Sequence, residues 1–187
     1  LNLRRLQWLQ QDPTTRYSAQ GVIALDNVLV DHHGKLIEDV GYFWDHAQQR
    51  HKIAHDYLIA NYVCTPGSGG KHYPLDFRRF VKREHCELKG QPFVDHNELF
   101  RELVDWTIQS QIPGDFTFDC WFTNAANLNH IHARDRGYVG DLKFNRKLEW
   151  KGTIVKASDL AASIASSDRT EMRVGDRRQW YFTATMH

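Results

Sequence analysis

The stretch "FTFDCWFTNAANL" (residues 116–128) places one carboxylate, Asp119, in a run of aromatic residues where a strand pattern passes into a helix pattern. Thr123 or Asn124 is the expected cap of that helix. A buried carboxylate without a partner strongly destabilises an apolar strand. Asp119 is therefore expected to be paired, turned to the surface, or bound to a cation, and only a bound cation would give it a chemical role.

Upstream of this stretch, three segments have the aliphatic and aromatic composition of strands. The segment "GVIALDNVLV" (21–30) is followed by "HHGKL" (32–36), whose glycine predicts a turn, and by the return strand "VGYFWD" (40–45). The segment "HKIAHDYLIANYVC" (51–64) favours a third, long strand. These patterns predict a meander of three antiparallel strands, with a hairpin between the first two.

A basic segment separates these strands from a helix. Residues 71–94 contain two prolines, one of them Pro74, and predict an irregular connection. The segment "DHNELFRELVDWTIQSQ" (95–111) begins with Asp95 and has Glu98 three residues later, which is the reciprocal capping arrangement. Its apolar residues recur at helix spacing, so this segment is expected to be a helix.

The remaining elements alternate between strand and helix. Residues 115–122 predict a strand, 123–134 a helix and 137–144 another strand. The predicted order is β-β-β-α-β-α-β, which indicates an α/β fold with a mixed sheet.

Three regions are expected along the chain. Residues 1–20 lack an initiator Met and are interpreted as an internal start, the remnant of an upstream region. Residues 21–144 form the predicted core. Residues 145–187 resemble the start of a β-rich insertion that is cut off, with short strand-like runs at 151–156 and 179–185.

Bulk composition excludes several classes of protein. The 187 residues are 41% apolar and 25% charged, and no apolar run approaches the roughly 18 residues needed to cross a bilayer, so membrane insertion is excluded. Three cysteines, an odd number without paired spacing, favour free thiols in a reducing cytoplasm.

Charge is distributed unevenly, although the net charge is only +1. Residues 71–91 and 134–151 each hold six Lys or Arg against three acids, whereas residues 92–120 hold six acids and one Arg. Two basic flanks around an acidic centre suit a protein that holds a polyanion and keeps carboxylates for cations. Solvated faces that merely balance one another are an equally open interpretation.

The predicted element order resembles the ribonuclease-H-like fold, in which the first and fourth strands lie side by side at the centre of the sheet. That resemblance implies that Asp26, at the end of "VIALD", and Asp119, at the end of "FTFD", are neighbours at the strand ends where α/β sheets bind ligands. Paired carboxylates repel each other unless a cation is bound, and Mg²⁺ prefers oxygen ligands. Two such ions can promote in-line displacement at a phosphodiester.

Three segments also resemble the DDE transposases of bacterial insertion sequences: "VIALDNVLVDHHGKLIEDVGYFWDH" (22–46), "FTFDCWFTNAANLNHI" (116–131) and "GYVGDLKFNRKLEW" (137–150). The first resembles the strand that carries the family's first Asp, with "LDN" where many members have two acids and a Thr. The second resembles the strand of the second Asp. The resemblance implies that Asp26 and Asp119 are catalytic ligands of Mg²⁺ or Mn²⁺.

The family's third acid, a Glu on a later helix, has no counterpart here. Glu149 and Glu171 are poor substitutes, because neither lies on a convincing amphipathic helix. In many members a β-rich insertion precedes that helix, so the chain is expected to end before its third ligand and to be weak or inactive as a fragment.

The leading hypothesis is a DDE-type transposase, a polynucleotidyl transferase that hydrolyses phosphodiesters at transposon ends and joins them to target DNA. The resemblance implies double-stranded DNA as partner, a dimer or larger assembly, and a bacterial, cytoplasmic, nucleoid-associated location. The candidate phosphate contacts are Arg78, Arg79, Lys82, Arg83, Lys143, Arg146 and Lys147. Two alternatives stay open: a nuclease of the same fold, and a non-catalytic DNA-binding remnant.

Several other residues have weaker signals. The segment "TPGSGGKH" (65–72) lacks the Gly and Ser/Thr of a phosphate loop and predicts a flexible turn. Asp45 and His46 could approach the two aspartates from the second strand and support them. Exposed stacking on nucleobases is a minority outcome for tryptophan, so core positions are expected for Trp44, Trp121, Trp150 and Trp180.

Overall fold

A computed structural model describes residues 2–34, 36–64, 70–174 and 177–181. The chain divides into two compact units, Leu1–Asp141 and Leu142–His187. The first unit is a mixed α/β structure whose sheet contains both parallel and antiparallel pairs, so the predicted α/β class with a mixed sheet is confirmed. Of the turn predicted at 65–72, residues 65–69 lie outside the described part of the chain.

Six strands form the sheet of the first unit: β1 (Val22–Asp31), β2 (Gly41–Asp45), β3 (Arg50–Val63), β4 (His72–Phe80), β5 (Asp115–Phe118) and β6 (Tyr138–Gly140). Strand β3 pairs antiparallel with β1, and also with β2 at its start and with β4 from Asp56 onward. Strand β1 pairs in parallel with β5, which pairs in parallel with β6. The main strand order is therefore β4-β3-β1-β5-β6, with β2 beside the first residues of β3.

The predicted hairpin between the first two strands is wrong. Strand β1 pairs with β3 over ten residues, from Val22 opposite Val63 to Asp31 opposite Ala54, and β2 pairs with the start of β3 over five. The longer pairing also buries Ile23 and Leu25 of β1 completely. Burial of apolar side chains along a long strand outweighs the local preference for a short turn.

The prediction of an irregular connection over residues 71–94 is also wrong. This segment forms strand β4 and helix α2 (Arg83–Leu88). Pro74 is accommodated because β4 pairs with β3 alone and its register shifts between Ala60 and Asn61, which leaves a bulge. Proline lacks an N–H group and is tolerated at sheet edges and bulges.

Three further helices complete the first unit: α1 (Asn2–Leu9), α3 (His96–Gln109) and α4 (Ala125–His132). Helix α3 is confirmed with its capping box, in which Asp95 and Glu98 bond reciprocally. Its Phe100 and Leu103 are fully buried in the core that also holds β1 and β5. No described helix combines the length and the apolar character needed to cross a membrane.

The strands after α3 are shorter than predicted. Strand β5 ends at Phe118 and residues 119–122 turn into α4, which Asn124 caps by accepting a bond from the Asn127 amide. Strand β6 covers three residues of the segment 137–144. Strand β5 therefore stops directly before Asp119, at the position where the chain changes direction.

The second unit contains two hairpins and a helix. Strands β7 (Lys147–Trp150) and β8 (Thr153–Lys156) form one hairpin, helix α5 (Ala157–Ser163) follows, and β9 (Thr170–Val174) pairs with β10 (Arg177–Tyr181). The turn Lys151-Gly152 has positive φ angles at both residues, as two-residue hairpin turns require. The predicted run 151–156 thus covers the turn and all of β8, the run 179–185 begins within β10, and residues 182–187 lie outside the described part.

Candidate functional site

Asp26 and Asp119 follow two residues that pair directly in the sheet. Leu25 of β1 is the parallel partner of Phe118 of β5, and both side chains lie in the core. The parallel register places Asp26 and Asp119 at the next pair of positions, where β5 ends and β1 continues to Asp31. The structure therefore brings together the two aspartates that the sequence singled out.

Short backbone hydrogen bonds fix both carboxylates. Asp119 Oδ1 accepts a bond from the Trp121 amide at 3.0 Å, and the Asp119 carbonyl accepts one from the Phe122 amide. Asp26 Oδ1 accepts a bond from the amide of Asn27 at 2.8 Å. Each side chain thus uses one oxygen locally, and Oδ2 is the oxygen that each can offer to a ligand.

The pKa of Asp26 is raised above its ordinary value. Partial burial is the main cause, the hydrogen bond from Asn27 opposes it, and the negative charge of Asp119 raises the pKa further. The two carboxylates are thus close enough to repel each other. A cation bound between them would remove this repulsion, since an opposite charge favours the ionised form of both groups.

A cavity of about 200 Å³ opens beside Asp119 and is here called the Asp119 cavity. Its lining includes Asn27, Phe43, Trp44, Asp56, His96, Asp119 and Trp121. His46 also lines this cavity, whereas Asp45 pairs with Lys52 at 2.7 Å. Within the described ranges, no group of three or more His, Cys, Asp or Glu side chains is placed to hold a metal ion.

Asp56 and His96 form a pair in this cavity that the sequence analysis missed. Asp56 Oδ2 accepts a hydrogen bond from His96 Nε2 at 2.8 Å, and the Asp56 side chain is only 4% exposed. Asp56 lies in the middle of the apolar strand β3. A carboxylate in an apolar strand needs a partner, so the sequence signal that marks Asp119 also marks Asp56.

Three of the four tryptophans predicted to lie in the core are exposed. Trp44 is 41% exposed, Trp121 is 55% exposed and Trp180 is 62% exposed. Trp44 stands on β2 next to His51, with the two rings edge to face at 4.9 Å. Two of the three, Trp44 and Trp121, line the Asp119 cavity.

The basic residues of the first flank contact groups of the protein itself. Arg78 pairs with Asp76 at 2.7 Å, and Arg79 pairs with Asp39 at 2.5 Å. Lys82 donates to the Tyr42 carbonyl, and the Arg83 guanidinium lies over the Phe93 ring. These four candidate phosphate contacts therefore stabilise the fold around β4 and α2.

The remaining basic candidates belong to the second unit. Lys143 and Arg146 precede β7, and each interacts with other groups of the chain. Lys147 is exposed and lies directly opposite Lys156 in the β7–β8 hairpin. Like charges directly opposite one another are unfavourable in a sheet, and a bound anion relieves the repulsion.

All three cysteines, Cys64, Cys86 and Cys120, are free thiols.

When the chain was compared with protein-family models, with curated proteins and with solved structures, none of the three comparisons gave a match. What the site can do therefore follows from its own side chains.

Proposed function

We propose that this chain carries the catalytic core of a DNA transposase, in which Asp26 and Asp119 hold divalent ions against a DNA phosphodiester. The observation that carries the proposal is the position of the two carboxylates, directly after the paired residues Leu25 and Phe118. Electrostatic repulsion between them favours a bound cation over an empty pair.

The strand order supports a ribonuclease-H-like core. In that fold the first strand lies beside the strand that follows the first helical connection, and here β1 lies beside β5, the first strand after α3. Three antiparallel strands and two parallel ones then make up the order β4-β3-β1-β5-β6. This order agrees with the resemblance found in the segments 22–46, 116–131 and 137–150.

Each aspartate has a defined role in the proposed reaction. Mg²⁺ or Mn²⁺ would supply Lewis-acid activation and charge neutralisation at the phosphate. Asp26 and Asp119 would hold the ions through their Oδ2 atoms, while their Oδ1 atoms keep both side chains oriented by backbone hydrogen bonds. A third oxygen ligand is needed for a complete site, and DNA phosphate oxygens can supply part of that coordination.

The first test measures metal binding. Mn²⁺ is titrated into the chain and followed by electron paramagnetic resonance and by calorimetry. The variants Asp26→Asn and Asp119→Asn are each expected to weaken Mn²⁺ binding at least about tenfold, because each removes one charged ligand. Asp135→Asn, an exposed aspartate before the start of β6 and therefore at the other end of that strand, is the matched control and is expected to bind Mn²⁺ as the unaltered chain does.

The second test measures the reaction. Supercoiled plasmid and labelled oligonucleotide duplexes are incubated with Mg²⁺, and both nicks and joined products are quantified. A transposase both cuts and joins, whereas a nuclease of the same fold cuts only. Equal Mn²⁺ binding by the unaltered chain and both variants would refute the metal site, and DNA binding without Mg²⁺-dependent cutting or joining would favour the non-catalytic alternative.

A further inference from the structure

We propose that the Asp119 cavity binds one unpaired nucleobase with an exocyclic amino group, and that Asp56 accepts a hydrogen bond from that group. Cytosine and adenine present such groups on their Watson–Crick edges. The assignment of the ligand to DNA rests on the proposed function. The cavity itself and its unpaired acceptor are features of the described residues.

Asp56 has one oxygen whose hydrogen-bonding capacity is unused. Oδ2 accepts the bond from His96, but Oδ1 is buried and has no hydrogen-bond partner among the described residues. A buried acceptor without a donor costs about 1–3 kcal/mol, and more when it is charged. A ligand that brings an N–H group to Oδ1 would recover this free energy.

His96 determines which oxygen of Asp56 is available. Its Nε2–H group donates to Oδ2, and its ring stacks on Phe80 with centroids 3.8 Å apart and planes 20° from parallel. His96 is also the first residue of α3, directly after the capping residue Asp95. Because the imidazole is held on two sides, Asp56 cannot exchange its oxygens freely, and Oδ1 remains the acceptor for a ligand.

The cavity walls suit a flat ring. Trp44, Phe43 and Trp121 line the cavity together with Asp56, and aromatic side chains stack on the faces of nucleobases. A volume of about 200 Å³ is below the roughly 300–1,000 Å³ of pockets for drug-sized ligands, so one heterocycle fits better than a whole nucleotide.

The cavity adjoins the proposed metal site, so a base bound in it would belong to the DNA that reacts there. Asp119 belongs both to the carboxylate pair and to the cavity wall. A nucleotide whose phosphate lies at Asp26 and Asp119 therefore has the Asp119 cavity within reach of its own base or of the next one. The cavity would hold that base outside the duplex and select it by its amino group.

Thymine is the base that Asp56 would reject. It presents the acceptor O4 where cytosine presents the N4 amino group, so O4 would face the Asp56 carboxylate. Replacing Asp56 by Asn reverses this preference. The Asn oxygen accepts the bond from His96, and its amide N–H₂ group takes the place of Oδ1 and donates to thymine O4.

The experiment uses three single-stranded probes of five nucleotides: oligo-dC, oligo-dT and an abasic strand. Dissociation constants are measured by fluorescence anisotropy at one fixed salt concentration, both with Mg²⁺ and with chelator. The ratio between the oligo-dC and oligo-dT constants removes the phosphate contribution, which is common to both strands. This ratio requires no cutting or joining, so its outcome is independent of the tests of catalysis.

The unaltered chain is expected to bind oligo-dC about tenfold more tightly than oligo-dT, and Asp56→Asn is expected to reverse the order. Trp44→Ala, at an exposed site that tolerates truncation, is expected to bring the oligo-dC constant to that of the abasic strand. Trp8→Ala removes a 74% exposed tryptophan on α1, outside the cavity, and is expected to leave all three constants unchanged.

Equal binding of oligo-dC, oligo-dT and the abasic strand would overturn the proposal, because it would show contact with phosphates alone. A preference for oligo-dC that survives both Asp56→Asn and Trp44→Ala would place base recognition elsewhere and overturn it as well. If Asp56→Asn fails to fold, as judged by circular dichroism, the Trp44→Ala result decides.

Discussion

Leu25 and Phe118 are partners in the parallel pair of β1 and β5, and both side chains are buried in the same core. The two carboxylates that follow are therefore held by the packing of the core and by the register of the sheet. A site that directly follows buried, paired residues keeps its geometry without a ligand. Because the fold holds Asp26 and Asp119 together, substitutions of either residue should change stability as well as activity.

Asp26→Asn is expected to raise the melting temperature at neutral pH when no divalent ion is present. The pKa of Asp26 is raised by partial burial and by Asp119, so its ionised form destabilises the folded state above the ordinary pKa near 3.8. After allowance for solvent screening, the gain is roughly 0.2–1 kcal/mol. Thermal denaturation at pH 7 and at pH 3 measures this increase in stability. The increase should vanish at pH 3, where Asp26 is protonated in both the folded and the unfolded chain. A gain of the same size at both pH values would contradict the repulsion.

Asp39→Asn is expected to destabilise the first unit by about 1–3 kcal/mol at pH 7. The Asp39 side chain is 5% exposed and lies between Lys89 at 2.6 Å and Arg79 at 2.5 Å. Hydrogen bonding to Lys89 and the charges of Arg79 and Lys89 lower the pKa of Asp39. The contribution of a lowered pKa is present above the ordinary value near 3.8 and disappears as the pH falls through the folded-state value.

Urea unfolding of this variant and of the unaltered chain at a series of pH values tests the pair. The difference between the two should shrink as the pH is lowered below 4. A double-mutant cycle with Arg79→Ala measures the interaction free energy between Asp39 and Arg79. Additive effects of the two substitutions would show that Asp39 and Arg79 do not stabilise each other.

Tyr62→Phe is expected to cost about 1–2 kcal/mol, although it removes a single oxygen. The Tyr62 hydroxyl accepts a bond from the Ser18 amide at 2.7 Å and donates one to the Ser18 carbonyl at 2.8 Å. It thereby ties the segment before β1 to β3. Tyr138→Phe, at a partly exposed tyrosine, is the control and is expected to change stability by less than about 0.5 kcal/mol in chemical denaturation. Equal effects of both substitutions would show that the hydrogen bonds between the Tyr62 hydroxyl and Ser18 do not stabilise the fold.

Lys147→Ala is expected to weaken DNA binding and to reduce the slope of log K against log salt by about 0.9, which corresponds to one phosphate contact. Lys147 is exposed and faces Lys156 across the hairpin. Arg79→Ala should lower stability and leave the salt slope unchanged, because Arg79 is paired with Asp39. Fluorescence anisotropy with a duplex at several salt concentrations gives both slopes, and the opposite pattern would assign the phosphate contact to the first basic flank.

Local signals in the sequence predicted the elements whose causes are local. The capping box of Asp95 and Glu98 fixes the start of α3, and Asn124 caps α4 as one of the two residues expected. In each case a side chain within three residues of the helix start satisfies a backbone amide. Such contacts can be read from a short window of the chain.

Long-range pairing could not be read in the same way. The ten-residue pairing of β1 with β3 joins positions up to 41 apart, and the nearer partner β2 fits the same local pattern. Strand β4 was missed because its proline and its charges resemble a connection, and only the bulge opposite Ala60 and Asn61 shows how the proline fits. Tertiary burial decides between such alternatives.

The residues of the candidate site show the same difference between local and long-range signals. Asp26 and Asp119 were found because each directly follows a recognisable apolar run, "VIAL" and "FTF". Asp56 and His96 were missed, since their pairing joins β3 to the start of α3 across forty positions of sequence. The exposure of Trp44 and Trp121 was missed because side-chain type alone predicts burial, whereas Trp44 lies on the outer strand β2 and Trp121 in the turn between β5 and α4.

Strand β3 hydrogen-bonds to three neighbours, β1, β2 and β4, over its fourteen residues. Each amide of β3 bonds to one neighbour only, and the amides that bond to β1 are protected from fraying of the outer strand β4, because β1 lies between β3 and β5. They should exchange with deuterium only when the whole unit opens, and their exchange rates would then report the global free energy of unfolding. The amides of β6 and of the short β2 should exchange by local opening, orders of magnitude sooner.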